Sequence, residues 1–224
     1  MTTRRWIETA GPLLGLLFVS AIFGVLIGPR FFSGANLELI ARQTVIVCTV
    51  ALGMTMIIVS GGIDLSVGSV VALTTVVVAV LLRADVSPAA AALAGIAAAT
   101  VCGVINGILI TGLRVVPFIV TLGMMILVRG AAKGFADERR VEAPTTWLND
   151  LLRTVDPDSL MVVPYGIWIV AALALLVAGA LGYTRFGRHL FSIGSNERTA
   201  RLCGVSVERT KIGVYAAGAA LAGV

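Results

Sequence analysis

Charged residues are scarce in this sequence: Asp, Glu, Lys and Arg together make up 13% of its 224 residues. A soluble domain usually carries about 25% charged and about 45–50% apolar residues. Here 58% of the residues are apolar, and the mean hydropathy is +1.00. A globule of this length cannot bury so much apolar surface. The composition therefore excludes a water-soluble fold and indicates that the lipid bilayer is the solvent.

Groups that commonly carry catalysis or hold metals are also few. Cys48, Cys102 and Cys203 form no CxxC pair, so we expect neither a disulfide framework nor a zinc site. The one histidine, His189, stands beside Arg188 with no paired base or nucleophile. The sequence has no G-x-x-x-x-G-K-[ST] loop, which excludes ATP binding by that route. We therefore expect no active site, no metal site and no cofactor in this chain.

Long apolar runs are abundant, and they cover residues 12–28, 44–60, 67–82, 88–111, 115–131 and 161–183. A spanning helix needs about 20 mainly apolar residues. The runs predict an all-α, polytopic membrane helix bundle with about six to seven transmembrane helices, interrupted at 60–67, and with 1–224 as a single transmembrane domain. Gly103 and Gly107 form a GxxxG pair, which favours close helix packing. A last run from Ile212 to Val224 is too short to span, so it is either re-entrant or part of a longer protein, which we favour.

The charges between the apolar runs predict the orientation. Segment 184–211 contains six basic residues and two acids, whereas segment 132–160 contains six acids and four basic residues. Basic loops stay on the cytoplasmic side of the membrane. We therefore expect a cytoplasmic N-terminus, a cytoplasmic 184–211 loop and an extracytoplasmic 132–160 loop. The net charge of +5 then reflects membrane topology and not nucleic-acid binding.

The segment S-G-G-I-D-L-S-V-G-S at 60–69 interrupts two apolar runs. Gly61 and Gly62 disfavour continued helix, and Asp64 or Ser66 can cap the helix that resumes after them. Non-helical backbone at membrane depth requires surrounding protein or a water-filled cavity, and an ionisable residue there is a functional candidate. Two roles for Asp64 stay open: a helix cap at the cytoplasmic interface and a part of a translocation path.

A second segment, 191–205, predicts a helix of about two turns on the basic loop. Asn196 suits the N-cap, Glu197 suits the positive end of the helix dipole, and Gly204 fits the position after the helix. So short a helix is not stable alone in water. We expect it to dock on another surface, with a position flat on the membrane as the alternative.

Four motifs together resemble a known family: GGIDLSVGS at 61–69, NGILIT at 106–111, VVPFIVTLGMMILVRG at 115–130 and IGSNERTARLCGVSVERTK at 193–211. They are similar to the permease subunits of ATP-binding cassette importers for ribose and related monosaccharides. The resemblance runs in order from about residue 12 to the last residue. Permeases for branched-chain amino acids share the architecture, but typically carry Asn-Leu-Ala where this chain has Asp64, Leu65 and Ser66, which favours a sugar.

The resemblance implies a coupling role for the short helix. In such importers a permease helix with the pattern G-x-N-x-x-A-A-x-x-x-G-I fits a cleft on the ATPase subunit. The positions that carry this pattern here, with the acidic residue of the first turn, are Gly194, Asn196, Glu197, Ala200, Gly204 and Val205. Thr199 stands where the first alanine is usual, and Val205 replaces isoleucine. Family members continue past this point with several more spans.

The resemblance also implies a function: import of a ribose-like sugar or polyol across a bacterial-type inner membrane, by a subunit that is not an enzyme. The expected partners are an ATPase subunit that binds the ATP, an extracytoplasmic sugar-binding protein, a second permease chain in a homo- or heterodimer, and membrane lipid, with no nucleic acid. Candidate residues for the path and its helix break are Gly61, Gly62, Asp64, Ser66, Asn106 and Thr121. As alternatives, Asn106 bridges helices and Thr121 bonds back to its own helix.

Three other functions stay open: a branched-chain amino acid permease of the same superfamily, a secondary transporter or channel without an ATPase, and a membrane scaffold. Broken helices also occur in secondary transporters. However, a proton- or sodium-coupled carrier usually has more intramembrane ionisable residues than Asp64 and Arg129. Neighbouring genes for a P-loop ATPase and a secreted binding protein would distinguish these classes.

Overall fold

The computed structural model describes residues 3–153 and 164–224, and every regular element in these two ranges is helical. In chain order the elements are α1 (Thr3–Ile27), a 3-10 turn (Gly28–Phe32), α2 (Gly34–Val59), α3 (Val67–Arg83), α4 (Pro88–Leu113), α5 (Pro117–Phe135), α6 (Trp147–Asp150), α7 (Tyr165–Tyr183), α8 (Arg185–Ser195), α9 (Glu197–Leu202) and α10 (Val207–Ala222). The start of the predicted run 161–183, and residues 154–160 of the predicted extracytoplasmic loop, lie outside the described residues.

Five stretches of the described chain are long and apolar enough to cross a membrane: Ala10–Phe32, Gly34–Val59, Pro88–Leu113, Pro117–Phe135 and Tyr165–Tyr183. The helix Val67–Arg83 is apolar but shorter. These helices confirm the predicted all-α, polytopic membrane protein. Five of the six predicted apolar runs coincide largely with these stretches, and the run 67–82 forms the shorter helix. The described residues therefore contain five candidate spans where about six to seven were predicted.

The chain divides into two compact units, Met1–Thr44 and Val45–Val224. In the first unit, the Phe31 ring stacks on Phe23 at a centroid distance of 6.1 Å and meets Phe32 edge-on at 5.0 Å. Gly24 makes this aromatic contact possible, since a Cβ there would lie 2.8 Å from the Phe32 ring. Aromatic packing therefore fixes the turn that follows α1.

In the second unit, α10 packs against α4 at backbone distance. A Cβ on Gly107 would lie 2.6 Å from the Cα of Ile212, and a Cβ on Gly103 would overlap the carbonyl oxygen of Tyr215. On another face of α10, a Cβ on Gly53 of α2 would lie 2.6 Å from the carbonyl oxygen of Gly218. Small residues allow this approach where no hydrophobic force drives helices together. The predicted GxxxG pair thus forms a real helix contact.

Two apolar clusters hold the second unit together. One joins α2, α4, α7, α8 and α10 through Met56, Ile57, Ile110, Val177, Leu190, Val214 and Tyr215. The other joins α3, α4 and α5 through Val70, Leu73, Ala99, Cys102, Met124, Val128 and Ala132. The chain passes from the first cluster to the second between Val59 and Val67. The interrupted segment is thereby placed between two packed cores.

Candidate functional site

The helix break predicted from two adjacent glycines is present. α2 ends at Val59 and α3 begins at Val67. Gly61 has φ +76°, a left-handed conformation that glycine adopts without steric cost. The N–H of Gly62 donates to the carbonyl oxygen of Ile57 at 2.9 Å, which satisfies one of the last carbonyls of α2. The break is therefore a hydrogen-bonded helix terminus.

A buried polar network fills the break. Asp64 Oδ1 accepts hydrogen bonds from the backbone N–H of Ser66 at 2.8 Å and from its hydroxyl at 2.6 Å. The Ser66 hydroxyl oxygen in turn accepts one from Asn106 Nδ2 of α4 at 3.0 Å. Each of the three residues is at most 4% exposed. Ser66 occupies the N-cap position of α3 without a side-chain cap bond, so the carboxylate of Asp64 orders the residue before the helix.

The carbonyl oxygen of Ile63, in the middle of the break, is held from two helices. The hydroxyl of Tyr215 on α10 donates to it at 3.2 Å. Thr121 on α5 contacts it at 3.5 Å but donates mainly to the carbonyl of Pro117 in its own helix, at 2.9 Å. The alternative of a bond back to its own helix is thus present for Thr121. Backbone groups in lipid need such partners, and here the surrounding helices supply them.

The structure brings Asp64, Ser66, Asn106 and Thr121 into one buried cluster, although they come from the break, α4 and α5. Sequence analysis did not identify Tyr215, which completes this cluster. The available signal was a single tyrosine inside the apolar run that starts at Ile212. A buried tyrosine usually finds a partner for its hydroxyl, so its position called for a buried acceptor.

The short helix α8 lies against the break through its last turn. Leu190 and Ile193 bury its apolar face. Gly194 approaches α2 so closely that a Cβ would overlap the carbonyl oxygen of Val59. Gly61 lies beside the same turn, since a Cβ there would be 3.9 Å from the Cα of Gly194. The loop 184–211 therefore touches the break by direct backbone contact.

The predicted capped helix is also present, as α9. Asn196 is its N-cap, accepting a hydrogen bond from the backbone N–H of Thr199 at 3.0 Å. Gly204 follows the helix at φ +82°, and the N–H of Val205 donates to the carbonyl of Ala200 at 3.1 Å. Such a turn is typical of glycine-terminated helices. The sequence pattern thus encodes the two ends of this helix.

The two faces of α9 differ sharply. Ala200 is 2% exposed and packs with Ile193 and Val207. Leu202 is 89% exposed, and its neighbour Arg198 is exposed as well. Most pattern residues therefore shape or anchor the helix, while an apolar side chain projects outward on the opposite face.

Ion pairs fasten α9 to the start of α10. Glu197 pairs with Lys211 at 2.7 Å and with Arg201 at 3.6 Å. Arg201 also binds Glu208, and the Arg201 guanidinium lowers the pKa of the Glu208 carboxyl through this hydrogen bond. Exposed pairs contribute little singly, but a network that shares its members restricts relative motion. We call residues Glu197–Lys211 the α9–α10 clamp.

A cavity of about 350 Å³ separates the α9–α10 clamp from the α4–α5 connection. Its walls include Arg114 and Pro117 on one side and Glu197, Arg201 and Lys211 on the other. α9 is therefore tied to α10 and leaves open space toward the neighbouring helix ends. Within the described ranges, no group of three or more His, Cys, Asp or Glu side chains could hold a metal ion.

These features define the class: a polytopic helical membrane protein whose buried helix break contacts α8, the helix that directly precedes the short, capped helix α9. The chain belongs to the family described as branched-chain amino acid transport system, permease component, which matches residues 36–224. That family is a transport component, which confirms the prediction of a transport protein and not an enzyme. The membership of the chain in this family and its apolar helices also confirm the predicted multi-pass membrane protein.

Curated relatives of the chain include import permeases for ribose, fructose and autoinducer 2. The chain is 36% identical over 213 residues to the ribose import permease protein RbsC of Escherichia coli, covering 95% of this chain and 66% of that protein. It is 32% identical over 211 residues to the fructose import permease protein FrcC of Rhizobium meliloti, with 92% and 59% covered. It is 34% identical over 197 residues to the autoinducer 2 import system permease protein LsrC of Klebsiella pneumoniae, with 87% and 56% covered.

The resemblance to importer permeases is thus confirmed. The chain spans between 56% and 66% of the length of these relatives, which is less than two thirds in each case. No solved structure matches the chain significantly.

Proposed function

We propose that this chain is part of the membrane-spanning permease of an ATP-driven importer for a monosaccharide, with a ribose-like sugar or polyol as the solute. The observation that carries the proposal is the contact between the helix break and the loop that presents α9. A transport path needs a device that converts a movement outside the membrane into a movement inside it. The relatives named as ribose and fructose import permeases support the choice of solute.

The outward face of α9 is the proposed docking site for an ATP-binding cassette ATPase subunit, which binds the ATP. Leu202 projects there with 89% of its surface exposed. An apolar side chain surrounded by charged ones, on a helix fixed at both ends, suits insertion into a cleft. In this arrangement Gly194, Asn196, Ala200 and Gly204 hold the helix in place, and Glu197 fixes it to α10.

The buried cluster at the break is proposed to shape the translocation path. Asp64, Ser66, Asn106 and Thr121 fill the break in this conformation, and their hydrogen bonds fix its backbone. Any opening at this depth must rearrange those bonds, because buried polar groups need partners. Gly61 allows the sharp turn, and Gly62 leaves space for the Tyr215 hydroxyl.

The proposed orientation places the N-terminus and the 184–211 loop in the cytoplasm of a bacterial-type cell. Basic residues in that loop support it. An extracytoplasmic sugar-binding protein would then deliver the solute to the opposite side, onto the 132–160 loop. A second permease chain, identical or similar, would enclose the path together with this one.

The direct test is reconstitution. The permease is co-expressed with a candidate ATPase subunit and a candidate binding protein, purified in detergent and placed in proteoliposomes. We expect the three proteins to co-purify and tritiated ribose to enter only with ATP. Uptake that stops with ionophores and continues without ATP would instead establish a secondary transporter. Because the family description names branched-chain amino acids, tritiated leucine is the second probe, and leucine uptake would overturn the sugar assignment.

A further inference from the structure

We infer that Tyr215 is a positioning residue for transport: its hydroxyl is the bond through which movement of the α9–α10 clamp reaches the helix break. The inference rests on the proposed function, and it assigns to one side chain the step between ATPase docking and path opening. Tyr215 lies on α10, 152 positions along the chain from its hydrogen-bond partner Ile63.

The bond itself is specific. Tyr215 is 1% exposed, and its hydroxyl donates to the carbonyl oxygen of Ile63 at 3.2 Å. A Cβ on Gly62 would lie 2.6 Å from that hydroxyl. Only glycine at position 62 therefore leaves the phenol oxygen room to reach the break. The hydrogen bond therefore requires both the tyrosine at position 215 and the glycine at position 62.

Tyr215 moves with the α9–α10 clamp because it lies on the same helix. Lys211, which pairs with Glu197, precedes Tyr215 by one helical turn on the same face. Val207, at the start of α10, packs against Ala200. A force applied to the outer face of α9 therefore enters α10 at residues 207–211, directly before the tyrosine.

The packing of α10 transmits that force to the phenol. A Cβ on Gly103 would overlap the backbone carbonyl of Tyr215, so α10 packs against α4 at the tyrosine itself. The aromatic ring is enclosed by the cluster that includes Ile57 and Val214. A shift or rotation of α10 consequently displaces the hydroxyl, and with it the carbonyl of Ile63. The neighbouring Asp64 then moves as well.

A second contact completes the linkage from the other side. Gly194 of α8 presses on the carbonyl of Val59, four residues before Ile63. The break is thus held at its start by α8 and at its middle by α10. Since α8, α9 and α10 follow one another in the chain, a single movement of this segment acts on both points.

A tyrosine that merely fills the core would give a different result from one that transmits movement. Tyr215→Phe keeps the ring and removes only the hydroxyl. Tyr183→Phe is the matched control, because Tyr183 is on α7 with an exposed side chain. Both variants are reconstituted in proteoliposomes with the ATPase and the binding protein, with tritiated ribose as the probe. The readouts are ribose imported per ATP hydrolysed and the thermal unfolding temperature of the complex.

We expect Tyr215→Phe to lower the ribose-to-ATP ratio severalfold while ATP hydrolysis stays near wild type. The unfolding temperature of the complex should fall modestly, because the carbonyl of Ile63 loses a hydrogen-bond partner. Tyr183→Phe should leave the ribose-to-ATP ratio, the rate of ATP hydrolysis and the unfolding temperature unchanged. A Tyr215→Phe complex with the wild-type ratio would overturn the inference, even if its unfolding temperature fell. If the wild-type complex shows no ATP-driven uptake of ribose, the proposed function itself fails, which is a separate outcome.

Gly62→Ala provides an independent check from the other side of the bond. Its methyl group would displace the hydroxyl, so we expect the same loss of coupling as in Tyr215→Phe. The double variant should be no worse than either single one, because both remove the same hydrogen bond. Additive losses in the double variant would contradict the inference.

Discussion

Asn106 of α4 donates a hydrogen bond from Nδ2 to the hydroxyl oxygen of Ser66, 3.0 Å away, and so ties α4 to the residue that precedes α3 at the break. The same hydroxyl donates to Asp64 Oδ1. The direction of both bonds follows: the amide is the donor, the hydroxyl relays, and the carboxylate is the final acceptor. Removing the acceptor therefore disturbs the whole chain of bonds.

Asp64 tests whether charge or hydrogen bonding matters at the break. Asp64→Asn keeps an oxygen that accepts from Ser66, whereas Asp64→Ala removes it and leaves buried donors without a partner. We expect Asp64→Ala to lower the free energy of unfolding by about 1–3 kcal/mol, and Asp64→Asn to lower it much less. Thermal unfolding in detergent measures both. Wild-type stability of Asp64→Ala would show that the carboxylate does not organise the break.

The same two variants separate structure from transport. If Asp64→Asn folds normally but imports less ribose in proteoliposomes, the negative charge contributes to the path. Normal uptake in Asp64→Asn would make Asp64 a structural residue that orders the segment before α3.

Local features of the site were predictable from the sequence, because they depend on neighbouring residues. Two glycines at 61 and 62 predicted the break, and Asn196 and Gly204 predicted the ends of α9. The polar residues in apolar runs were predicted one by one as candidates. The structure confirms the local conformations, while the roles of these residues in transport stay predictions.

Contacts between distant segments were not predictable in the same way. The hydroxyl of Tyr215 reaches Ile63 only because α10 packs against α4 and α2 at backbone distance. The overlap between Gly194 and Val59 depends on the path of α8 after α7. Neither contact leaves a sequence pattern, since a glycine or tyrosine in an apolar run is compatible with many packings.

The α4–α10 contact predicts that replacing either of two glycines of α4 by alanine has opposite effects on stability. Gly103→Ala would place a methyl group against the carbonyl of Tyr215, and such overpacking costs about 1–3 kcal/mol. Gly112→Ala, also on α4, meets nothing within 4 Å, and alanine is favoured over glycine within a helix by about 0.5–1 kcal/mol. Thermal unfolding of the two variants should therefore shift in opposite directions. A similar shift for both would contradict the packing.

Leu202 is expected to matter for assembly and not for folding. Leu202→Glu changes a side chain that faces outward, so thermal unfolding of the isolated permease should be unchanged. The ATPase subunit should no longer co-purify. Leu190→Ala is the contrasting variant: this fully buried leucine of α8 should cost about 2–5 kcal/mol of stability. Normal ATPase binding by Leu202→Glu would exclude this face of α9 as the docking site.

The Arg201–Glu208 pair predicts a weak acid sensitivity of the α9–α10 clamp. The pKa of Glu208 is lower in the folded protein than its ordinary value because Arg201 binds the carboxylate. The pair therefore stabilises the clamp above the unfolded pKa of about 4.3, and this contribution is lost as the pH falls through the lower folded value. Both side chains are exposed, so the effect should be small and should fade at high salt.

Glu208→Gln removes the charge that titrates and provides the control for that acid sensitivity. Hydrogen exchange of the 197–211 backbone amides, followed from neutral pH into acid, measures the acid sensitivity of the clamp. Wild type should exchange more slowly than the Gln variant at neutral pH, and this difference should disappear at acid pH. Identical pH dependence in the two proteins would show that the pair does not hold the clamp.

The meeting of Gly194 with the Val59 carbonyl involves no side chain from either partner. This backbone contact restricts the size of the residue at position 194 and not its chemistry, because every residue larger than glycine would overlap the carbonyl, whether apolar, polar or charged. Position 59 accepts any side chain that leaves its carbonyl in place. Side chains elsewhere on the surface can therefore diverge freely around this contact. Permeases for different solutes can share this contact between a glycine and a helix carbonyl.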